Sequence, residues 1–383
     1  MAPTKAIVFL AGSRWEDVQG TDHQLARSLS KSIPILWVDP PLPLHLAVRG
    51  PDTLKRPTGC SSVAPGITRL RVMSMPGFTR RPIAPTARFL MKTAIRRTLQ
   101  KLHITPLATL VLSPLALFPA GLPGARILYV TDDWVAGAPL MGLDRGLVRR
   151  TLGCNLRAAH STVAVSPGLA ENLDQLRPAR VKKTTVLPNG CHIPVPGGEA
   201  GNRTPTAVLA GQLNERLDLS LLEALQASGT QLLVIGPRTE RDLETGKRLD
   251  AFLAANNVSW LGKLPYADMQ AHLGSARVGL TPYRDTPFNR AAFPLKTLDY
   301  LASGLPVVAT DLPSVRWLDT DLVSISSGPS QFVDQVRQIL QADPHAYPPA
   351  RYRDFAKRHT WDERAAQLIR NIEGISEHAN HTD

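Results

Sequence analysis

Several features that define other classes of protein are missing from this 383-residue sequence. It contains no run of about 18 apolar residues, so we expect no transmembrane helix. The short apolar run near the N-terminus passes directly into charged residues, which is typical of a first β-strand and not of a signal peptide. We therefore expect a cytoplasmic protein.

Cysteine and aromatic residues are also scarce. The three cysteines are odd in number, far apart and without Cys/His metal spacing, so we predict neither a disulfide nor a zinc site: Cys60, Cys154 and Cys191. The formal net charge of +12 indicates an anionic partner, which by charge alone is a nucleic acid, a membrane surface or a phosphate-bearing substrate. With 5% aromatic residues and no evident stacking platform, we predict no nucleic-acid partner.

Two motifs of cofactor-dependent and metal-dependent enzymes are absent as well. No G-x-G-x-x-G follows the first predicted strand, so dinucleotide binding is not favoured. Asp132 and Asp133 follow a predicted strand, where open α/β sheets bind ligands, and are candidates to orient a sugar or accept a proton. They do not form a D-x-D triplet, and we predict no cofactor and no obligatory divalent ion.

Short apolar runs alternate with helical segments along the chain, which predicts α/β domains with parallel sheets. The predicted strands of a first series lie at 5–13, 33–39, 68–72, 109–113, 127–130, 161–166 and 184–187. Those of a second series lie at 207–210, 232–235, 258–261, 278–280, 307–310 and 322–325. Further helices are predicted at 327–341 and 353–372.

The Pro- and Gly-rich segment 194–205 separates the two series and is typical of an interdomain linker. We therefore predict an N-terminal domain at 1–193 and a C-terminal domain at 206–350. Residues 351–383 are expected to form a C-terminal helix and tail, with packing against the N-terminal domain as one arrangement.

The stretch 282–313 combines a polar loop, a short helix and a buried strand. Pro294 suits a first helical turn and Gly304 a helix end, so a helix is predicted at 294–303. A helix N-terminus beside a parallel strand favours an anion, and Lys296 in its first turn is best explained by one, such as a diphosphate. The alternative is a solvated lysine on an ordinary amphipathic helix.

The loop at 12–22 follows the first strand and is expected to line a ligand site. Gly12 permits a close backbone approach, and Ser13 and Trp15 follow it. His23 is a candidate base toward an acceptor hydroxyl, because the usual pKa of histidine lies near neutral pH. The alternative is a histidine that packs or caps at the start of the helix 22–30.

Segment 79–101 is predicted to be a basic amphipathic helix. Its apolar stripe comprises Phe89, Leu90, Met91, Ala94, Ile95 and Leu99, and its cations are Arg80, Arg81, Arg88, Lys92, Arg96, Arg97 and Lys101. Such a helix can lie on an anionic membrane at the inner face of the plasma membrane. The alternative is a domain helix with a solvated basic face.

Taken with these motifs, the chain resembles the two-domain nucleotide-sugar glycosyltransferases of the GT-B fold, retaining group-1 type. It is most similar to the branch that contains teichuronic-acid-type glycosyltransferases. The resemblance is carried by residues 15–41, 129–134, 187–190, 209–211 with Asp218, and above all 287–313. It implies two Rossmann-like parallel-sheet domains that face a cleft.

The resemblance implies a nucleoside-diphosphate-sugar donor bound by the C-terminal domain and a glycan or lipid-linked acceptor bound by the N-terminal domain. Lys296 would meet the diphosphate, Asp299 would bind the ribose hydroxyls, and the backbone around Gly262 and Lys263 would lie near the base. The remaining donor-side residues implied are Asn289, Arg290, Pro294, Leu295, Gly211 and Arg216.

Two positions depart from the family pattern. Ala291 replaces the first of two glutamates, and Gln212 follows Gly211 where a phosphate-binding cation is usual. These departures keep a binding or scaffold protein without catalysis as one alternative. A nucleotide-sugar epimerase of the same architecture is another.

Overall fold

The computed structural model of the chain describes residues 3–17, 20–43, 59–77, 83–178, 183–194, 203–293 and 295–380. Its strands are β1 (Thr4–Leu10), β2 (Ile35–Val38), β3 (Leu42–Pro43), β4 (Gly59–Ala64), β5 (Ile67–Arg71), β6 (Met73–Ser74), β7 (Ile104–Val111), β8 (Ala125–Val130), β9 (Ser161–Ala164), β10 (Thr185–Val186), β11 (Ala207–Ala210), β12 (Leu232–Ile235), β13 (Val258–Trp260), β14 (Val278–Thr281), β15 (Val307–Thr310) and β16 (Val323–Ser326). Each strand predicted from the sequence is present.

The helices pack beside these strands in the alternation that the sequence predicts. They are α1 (Thr21–Leu29), α2 (Ala84–Lys101), α3 (Arg145–Ala158), α4 (Pro167–Leu176), α5 (Leu219–Ala227), α6 (Leu243–Leu253), α7 (Tyr266–Ser275), α8 (Pro287–Ala291), α9 (Leu295–Ala302), α10 (Pro313–Arg316), α11 (Pro329–Gln341), α12 (Pro349–Lys357) and α13 (Trp361–Asn380), with a 3-10 helix at Pro344–Ala346. No helix among the described residues is long and apolar enough to cross a membrane.

The chain divides into two compact units. The first comprises Met1–Pro188 and Trp361–Asp383, and the second comprises Asn189–Thr360. Helix α13 therefore belongs with the N-terminal segment, where it packs against α1 and β8. Most of the predicted linker 194–205, namely residues 195–202, lies outside the described residues.

The first unit is built on an eight-stranded sheet with the order β10-β9-β8-β7-β1-β2-β5-β4. All neighbours are parallel except β4, which pairs antiparallel with β5. Strand β1 lies in the middle, and its residues from Ala6 to Phe9 are fully buried because helices cover both faces of such a sheet. The chain proceeds from β1 to β2 on one side and to β7 on the other, so the sheet's switch point lies between β1 and β7.

The hairpin of β4 and β5 was not predicted. Pro65 and Gly66 form its turn, and Gly66 has a φ of +71°. A Cβ at Gly66 would lie 2.6 Å from the Ser30 carbonyl oxygen, so the turn needs glycine for space as well as for conformation. The Pro-Gly pair was the sequence signal from which this turn could have been predicted.

The second unit is built on a six-stranded parallel sheet with the order β13-β12-β11-β14-β15-β16. Its strands are short apolar runs buried by helices on both faces. The order reverses between β11 and β14, so the carboxyl ends of these two strands flank the crevice where such sheets bind ligands.

The single helix predicted at 353–372 is wrong. Helix α12 ends at Lys357, and α13 begins at Trp361. The residues between them are held in another conformation, because the Cys191 N–H donates to the His359 carbonyl at 2.8 Å and Cys191 forms a parallel bridge with Thr360. Helical periodicity alone could not show this, because Cys191 is distant in the sequence.

The predicted apolar stripe of the basic helix is also wrong as a single face. Ile95 and Leu99 are buried against the body of the first unit, where α2 packs on β7. Phe89 and Leu90 instead point outward and are 66% and 42% exposed. Residues 79–82 of the predicted segment, with Arg80 and Arg81, lie outside the described residues.

Candidate functional site

Three glycines follow adjacent strands at the carboxyl edge of the second sheet. Gly211, Gly236 and Gly262 come after β11, β12 and β13, and all three have positive φ angles. The Gly236 N–H donates to the Gly262 carbonyl at 2.7 Å, which joins two of these turns. Because glycine has no side chain, the backbone at this edge is open to a close ligand approach.

Gly236 tolerates no side chain. A Cβ there would lie 1.7 Å from the Gly211 carbonyl oxygen, and its φ is +142°. We expect Gly236→Ala to lower the free energy of unfolding by more than about 2 kcal/mol, measured by urea denaturation. The matched variant is Gly153→Ala in α3, where a Cβ would lie 3.7 Å from the Arg157 side chain. For this variant we expect a small increase in the free energy of unfolding. Equal effects in the two variants would contradict the steric explanation.

Arg216 lies in the loop after β11 and is held on three sides. Its guanidinium lies over the rings of Tyr283 and Phe288, with the carbon 5.3 and 4.9 Å from their centroids. Its Nε donates to Asn289 Oδ1 at 3.0 Å. Asn289 is buried, and its amide donates to the carbonyls of Arg216 and Arg284. Asn289 therefore fixes the loop that carries Arg216.

Helix α9 carries two charged side chains that meet. Lys296 Nζ lies 3.1 Å from Asp299 Oδ2, one helical turn away. The Asp299 side chain is 6% exposed and that of Lys296 is 25% exposed. A carboxylate buried this far needs a compensating charge, and Lys296 supplies it.

The position of α9 is set by Tyr300. Its hydroxyl accepts a hydrogen bond from the Ala210 N–H at 2.7 Å, at the end of β11. Its ring packs on Gly279 of β14, where a Cβ would lie 2.4 Å from the ring carbon Cγ. Burial raises the pKa of Tyr300, so the phenol stays protonated. The helix that carries Lys296 and Asp299 is thus tied to the switch point of the sheet.

Tyr266, at the start of α7, lies near this pair. Burial, followed by the charge of Asp299, raises the pKa of Tyr266. Its ring also meets His192 edge-on, with centroids 5.9 Å apart. Tyr266 was not predicted from the sequence, because residues 266 and 299 lie in different βα segments.

The other predicted donor-side residues are placed as follows. Arg290 is ion-paired with Asp285, and both side chains are more than half exposed. Lys263 is exposed after Gly262, and Leu295 is half-buried at the start of α9. Pro294 lies outside the described residues. Ala291 is buried, and Gln212 is exposed beside Gly211.

The loop after β1 in the first unit is pinned by Asp22. Asp22 Oδ2 accepts hydrogen bonds from the N–H and hydroxyl of Ser13, at 3.2 and 2.7 Å. A Cβ at Gly12 would lie 2.8 Å from the Leu112 carbonyl oxygen, so glycine lets the loop pass the end of β7. Gly12, Ser13 and Trp15 therefore lie together at the carboxyl edge of β1.

His23 is fully buried beneath this loop. Its Nδ1 lies 3.0 Å from Asp22 Oδ1, and its Nε2 lies 3.2 Å from the Trp15 carbonyl oxygen. Its ring packs between those of Trp15 and Trp37. This is the packing that the alternative interpretation of His23 describes, and the role of His23 as a base stays a prediction.

A buried ion pair lies next to the loop and was not predicted. Arg69 and Asp39 are both 4% exposed, and Arg69 Nε donates to Asp39 Oδ2 at 2.7 Å. Arg69 also pairs with Glu16, and Asp39 accepts from the Trp37 indole at 2.8 Å. Burial raises the pKa of Asp39 despite these partners, whereas the hydrogen bond from Arg69 lowers the pKa of Glu16.

Asp132 and Asp133 line a cavity of about 270 Å³ at the end of β8. Asp133 accepts hydrogen bonds from the Ala136 N–H at 2.9 Å and from the Asn172 amide at 3.2 Å. Arg145 and Arg149 bring positive charge, and the rest of the wall is largely apolar, contributed by Trp134, Val135, Ala136, Leu152, Leu169, Leu173 and Leu176. A small polar ligand with an apolar face and an anionic group fits such a lining.

The structure therefore brings the predicted residues together in separate groups. Gly211, Gly262, Arg216, Asn289, Lys296 and Asp299 belong to the carboxyl side of the second sheet. Gly12, Ser13, Trp15 and His23 group after β1, and Asp132 and Asp133 follow β8 on the far side of β7. Among the described residues, no cluster of three or more His, Cys, Asp or Glu side chains has the arrangement of a metal site.

Sequence comparison finds two similarities between this chain and known proteins. The profile of the family described as Glycosyl transferases group 1 matches residues 205–342. A Bacillus subtilis (strain 168) protein, TuaH, provisionally named as a teichuronic acid biosynthesis glycosyltransferase, is 29% identical over 176 residues. The matched part is 44% of this chain and 43% of that relative. The alignment therefore spans less than half of TuaH.

Solved structures share the fold over nearly the whole chain. The sucrose-phosphate synthase of Thermosynechococcus elongatus superposes with a TM-score of 0.71 at 14% identity, covering 98% of this chain and 99% of that one. The Anabaena protein HepE, in complex with UDP and glucose, superposes with a TM-score of 0.67 at 14% identity, covering 96% and 99%. The expected α/β class with parallel sheets, the GT-B fold, is confirmed.

Proposed function

We propose that the protein is a glycosyltransferase that moves a sugar from a nucleoside-diphosphate sugar to a glycan or lipid-linked acceptor, in the synthesis of cell-envelope polysaccharide or glycolipid. The match of the group 1 family to residues 205–342 and the partial likeness to TuaH support this class of reaction. We further propose that transfer proceeds with retention at the anomeric carbon.

The observation that carries the proposal is the Lys296–Asp299 pair on α9. It lies within the matched segment, on a helix tied to the switch point by the bond between Tyr300 and Ala210. Ligands of open parallel sheets bind at this place. A cation beside a nearly buried carboxylate offers both charges that a nucleoside diphosphate requires: a positive one for phosphate and an acceptor for ribose hydroxyls.

The donor site is proposed to work by stabilising the leaving diphosphate. As the glycosidic bond breaks, negative charge grows on the diphosphate, and we propose that Lys296 and N–H groups in the first turn of α9 donate to it. Arg216, held in place by Asn289, adds positive charge from the loop after β11. We propose that Arg216 substitutes approximately for the cation that is usual at the position of Gln212.

The acceptor is proposed to bind the first unit. Gly12, Ser13 and Trp15 would line the backbone edge after β1, and Asp132 and Asp133 would contact polar groups in the cavity after β8. His23 or Asp133 would take the proton of the acceptor hydroxyl. We propose contact with the inner face of the plasma membrane, a cytoplasmic location and no obligatory divalent ion.

The proposal is tested with a panel of nucleoside-diphosphate sugars, by following nucleoside-diphosphate release with and without glycan and lipid-linked acceptors. We expect release that depends on the acceptor and persists in EDTA. NMR of the product then gives the anomeric configuration. Absence of release with every donor would favour a scaffold protein, and conversion of the donor sugar without an acceptor would favour an epimerase.

Asp299 allows a test of ribose binding. With the donor that the panel identifies, we expect removal of the ribose 2′-hydroxyl to raise KM about tenfold or more in the wild type, because a hydrogen bond to a charged group is lost. In Asp299→Ala, we expect the same removal to change KM little, since the carboxylate is already gone.

The control for this test is Asp354→Ala, which removes an exposed carboxylate of α12 that pairs with Lys357. In this variant, removal of the 2′-hydroxyl should raise KM as much as it does in the wild type. A tenfold rise in KM on removal of the 2′-hydroxyl in Asp299→Ala would contradict the proposed contact with ribose.

A further inference from the structure

We infer that the outward face of α2 is a docking surface for an anionic lipid bilayer, with Phe89 and Leu90 as the side chains that enter it. The outward face is defined by Phe89 and Leu90 together with Arg88, Lys92 and Arg97. The inference concerns binding alone and does not depend on transferase activity.

The apolar side chains of this face are exposed although the helix has a core to pack on. Phe89 and Leu90 are 66% and 42% exposed, whereas Ile95 and Leu99, further along the same helix, are buried. The packing of α2 on β7 thus leaves two adjacent large apolar residues in solvent. Exposed apolar residues grouped in this way mark an interaction site.

Positive charge surrounds these two residues. The sequence of α2 contains no acidic residue and five basic ones: Arg88, Lys92, Arg96, Arg97 and Lys101. Arg96 donates to the carbonyls of Ala120 and Gly121. Within the described part of the chain, no ion pair includes Arg88, Lys92, Arg97 or Lys101.

The spacing places the charge where a bilayer needs it. Arg97 follows Leu90 by seven residues and lies on the same stripe of the helix. Lys92 lies one turn after Phe89, and the exposed Arg88 directly precedes Phe89 near the start of the helix. Apolar side chains flanked by cations on one face of a helix match the acyl and headgroup layers of an anionic surface.

A protein partner fits this surface less well. A stable protein interface has a core of several buried apolar or aromatic residues inside a patch of about 800 Å² per partner. The outward face of α2 offers two apolar side chains among cations that form no ion pair with the described residues, and charge complementarity favours an anionic sheet. A nucleic acid would use the cations and gain little from Leu90, which has no ring to stack on a base.

The test is flotation of the full chain with two kinds of vesicle: phosphatidylcholine alone, and phosphatidylcholine with phosphatidylglycerol. We expect binding to the anionic vesicles only, weakened by salt. For Phe89→Ser/Leu90→Ser we expect the partition coefficient to fall about tenfold or more. For Arg88→Gln/Arg97→Gln we expect a fall of about 30-fold, from roughly 1 kcal/mol for each cation.

The matched control is Leu243→Ser/Lys247→Gln on α6. Leu243 is 84% exposed and the Lys247 side chain 77% exposed, so this variant removes one exposed apolar side chain and one cation elsewhere. We expect its vesicle binding to equal that of the wild type. Circular dichroism and urea denaturation should show that all three variants remain folded.

A parallel measurement uses single-stranded RNA as the probe. If the surface binds a bilayer, Phe89→Ser/Leu90→Ser loses vesicle binding while any weak, salt-sensitive RNA binding stays unchanged. Absence of binding to anionic vesicles by the wild type would overturn the inference. Wild-type vesicle binding by Phe89→Ser/Leu90→Ser would also overturn it, because the apolar pair would then play no part.

Discussion

Replacing Lys296 by methionine is expected to lower kcat by about a hundredfold or more, because the leaving diphosphate loses a fixed cation. Lys296 Nζ lies 3.1 Å from Asp299 Oδ2. The variant therefore also leaves a nearly buried carboxylate without its partner, and we expect some loss of stability, of about 1–3 kcal/mol. The measurements are initial rates at saturating donor and acceptor, and urea denaturation.

The two consequences of losing Lys296 are separated by the variant Lys296→Met/Asp299→Asn. If Lys296 acts on the diphosphate, the double variant recovers stability, because no buried charge is left unpaired, yet kcat stays as low as in Lys296→Met. If Lys296 only neutralises Asp299, kcat returns toward that of Asp299→Asn alone. The second outcome would remove Lys296 from the catalytic step.

Lys357→Met provides the matched control for charge and length. Lys357 pairs with Asp354 at 2.8 Å and with the same three-residue spacing on α12, but both side chains are largely exposed. An exposed pair of this kind contributes little to stability. We expect wild-type kcat and a change in the free energy of unfolding below about 1 kcal/mol.

The largest loss of stability is expected for Arg69→Met, at about 3–5 kcal/mol, because the variant leaves Asp39 buried and without its cation. Arg69 and Asp39 are both 4% exposed. The matched control Arg248→Met breaks a two-pronged pair with Glu223 whose side chains are about 40% exposed, at 42% and 41%. We expect this control to lower the free energy of unfolding, measured by urea denaturation, by less than about 1 kcal/mol.

The stability deficit of Arg69→Met should depend on pH in a definite direction. Burial already raises the folded-state pKa of Asp39, and loss of Arg69 raises it further, so folding favours the protonated carboxyl. The deficit is then full at neutral pH and shrinks as pH falls through the raised pKa. Glu16 acts in the same sense, because its pKa is lowered by the bond from Arg69, and the stability it contributes is lost on acidification.

Arg69→Met/Asp39→Asn distinguishes charge from packing. An amide at position 39 has no charge to leave unpaired, so much of the lost stability should return and the pH dependence should weaken. A double variant as unstable as Arg69→Met would show that the aliphatic part of Arg69 contributes the stability by packing.

Local patterns were sufficient to predict the parallel strands of the two main sheets and the helix that carries Lys296. Short β-branched runs predict buried parallel strands, and Gly304 marks the end of α9. Lys296 and Asp299 are three residues apart on one helix, so their proximity follows from helical geometry. These features depend only on residues close together in the sequence.

The remaining parts of the site depend on distant residues. Arg69 pairs with Asp39 and Glu16, which are 30 and 53 residues away, and an arginine in a strand ordinarily indicates an exposed side chain. Tyr300 reaches Ala210 across 90 residues. Phe89 and Leu90 lie five to ten residues before Ile95 and Leu99 and at none of the helical spacings of three, four, seven or eight from them, so the predicted stripe joined two faces of α2.

The division of the chain has a consequence for how the protein emerges from the ribosome. The second unit, Asn189–Thr360, is continuous and can complete its sheet during synthesis. The first unit lacks α13 until the segment that follows the second unit has been made, although its other elements are synthesised first. Until then the face of α1 that packs on α13 stays uncovered, so the N-terminal unit begins folding first and finishes last.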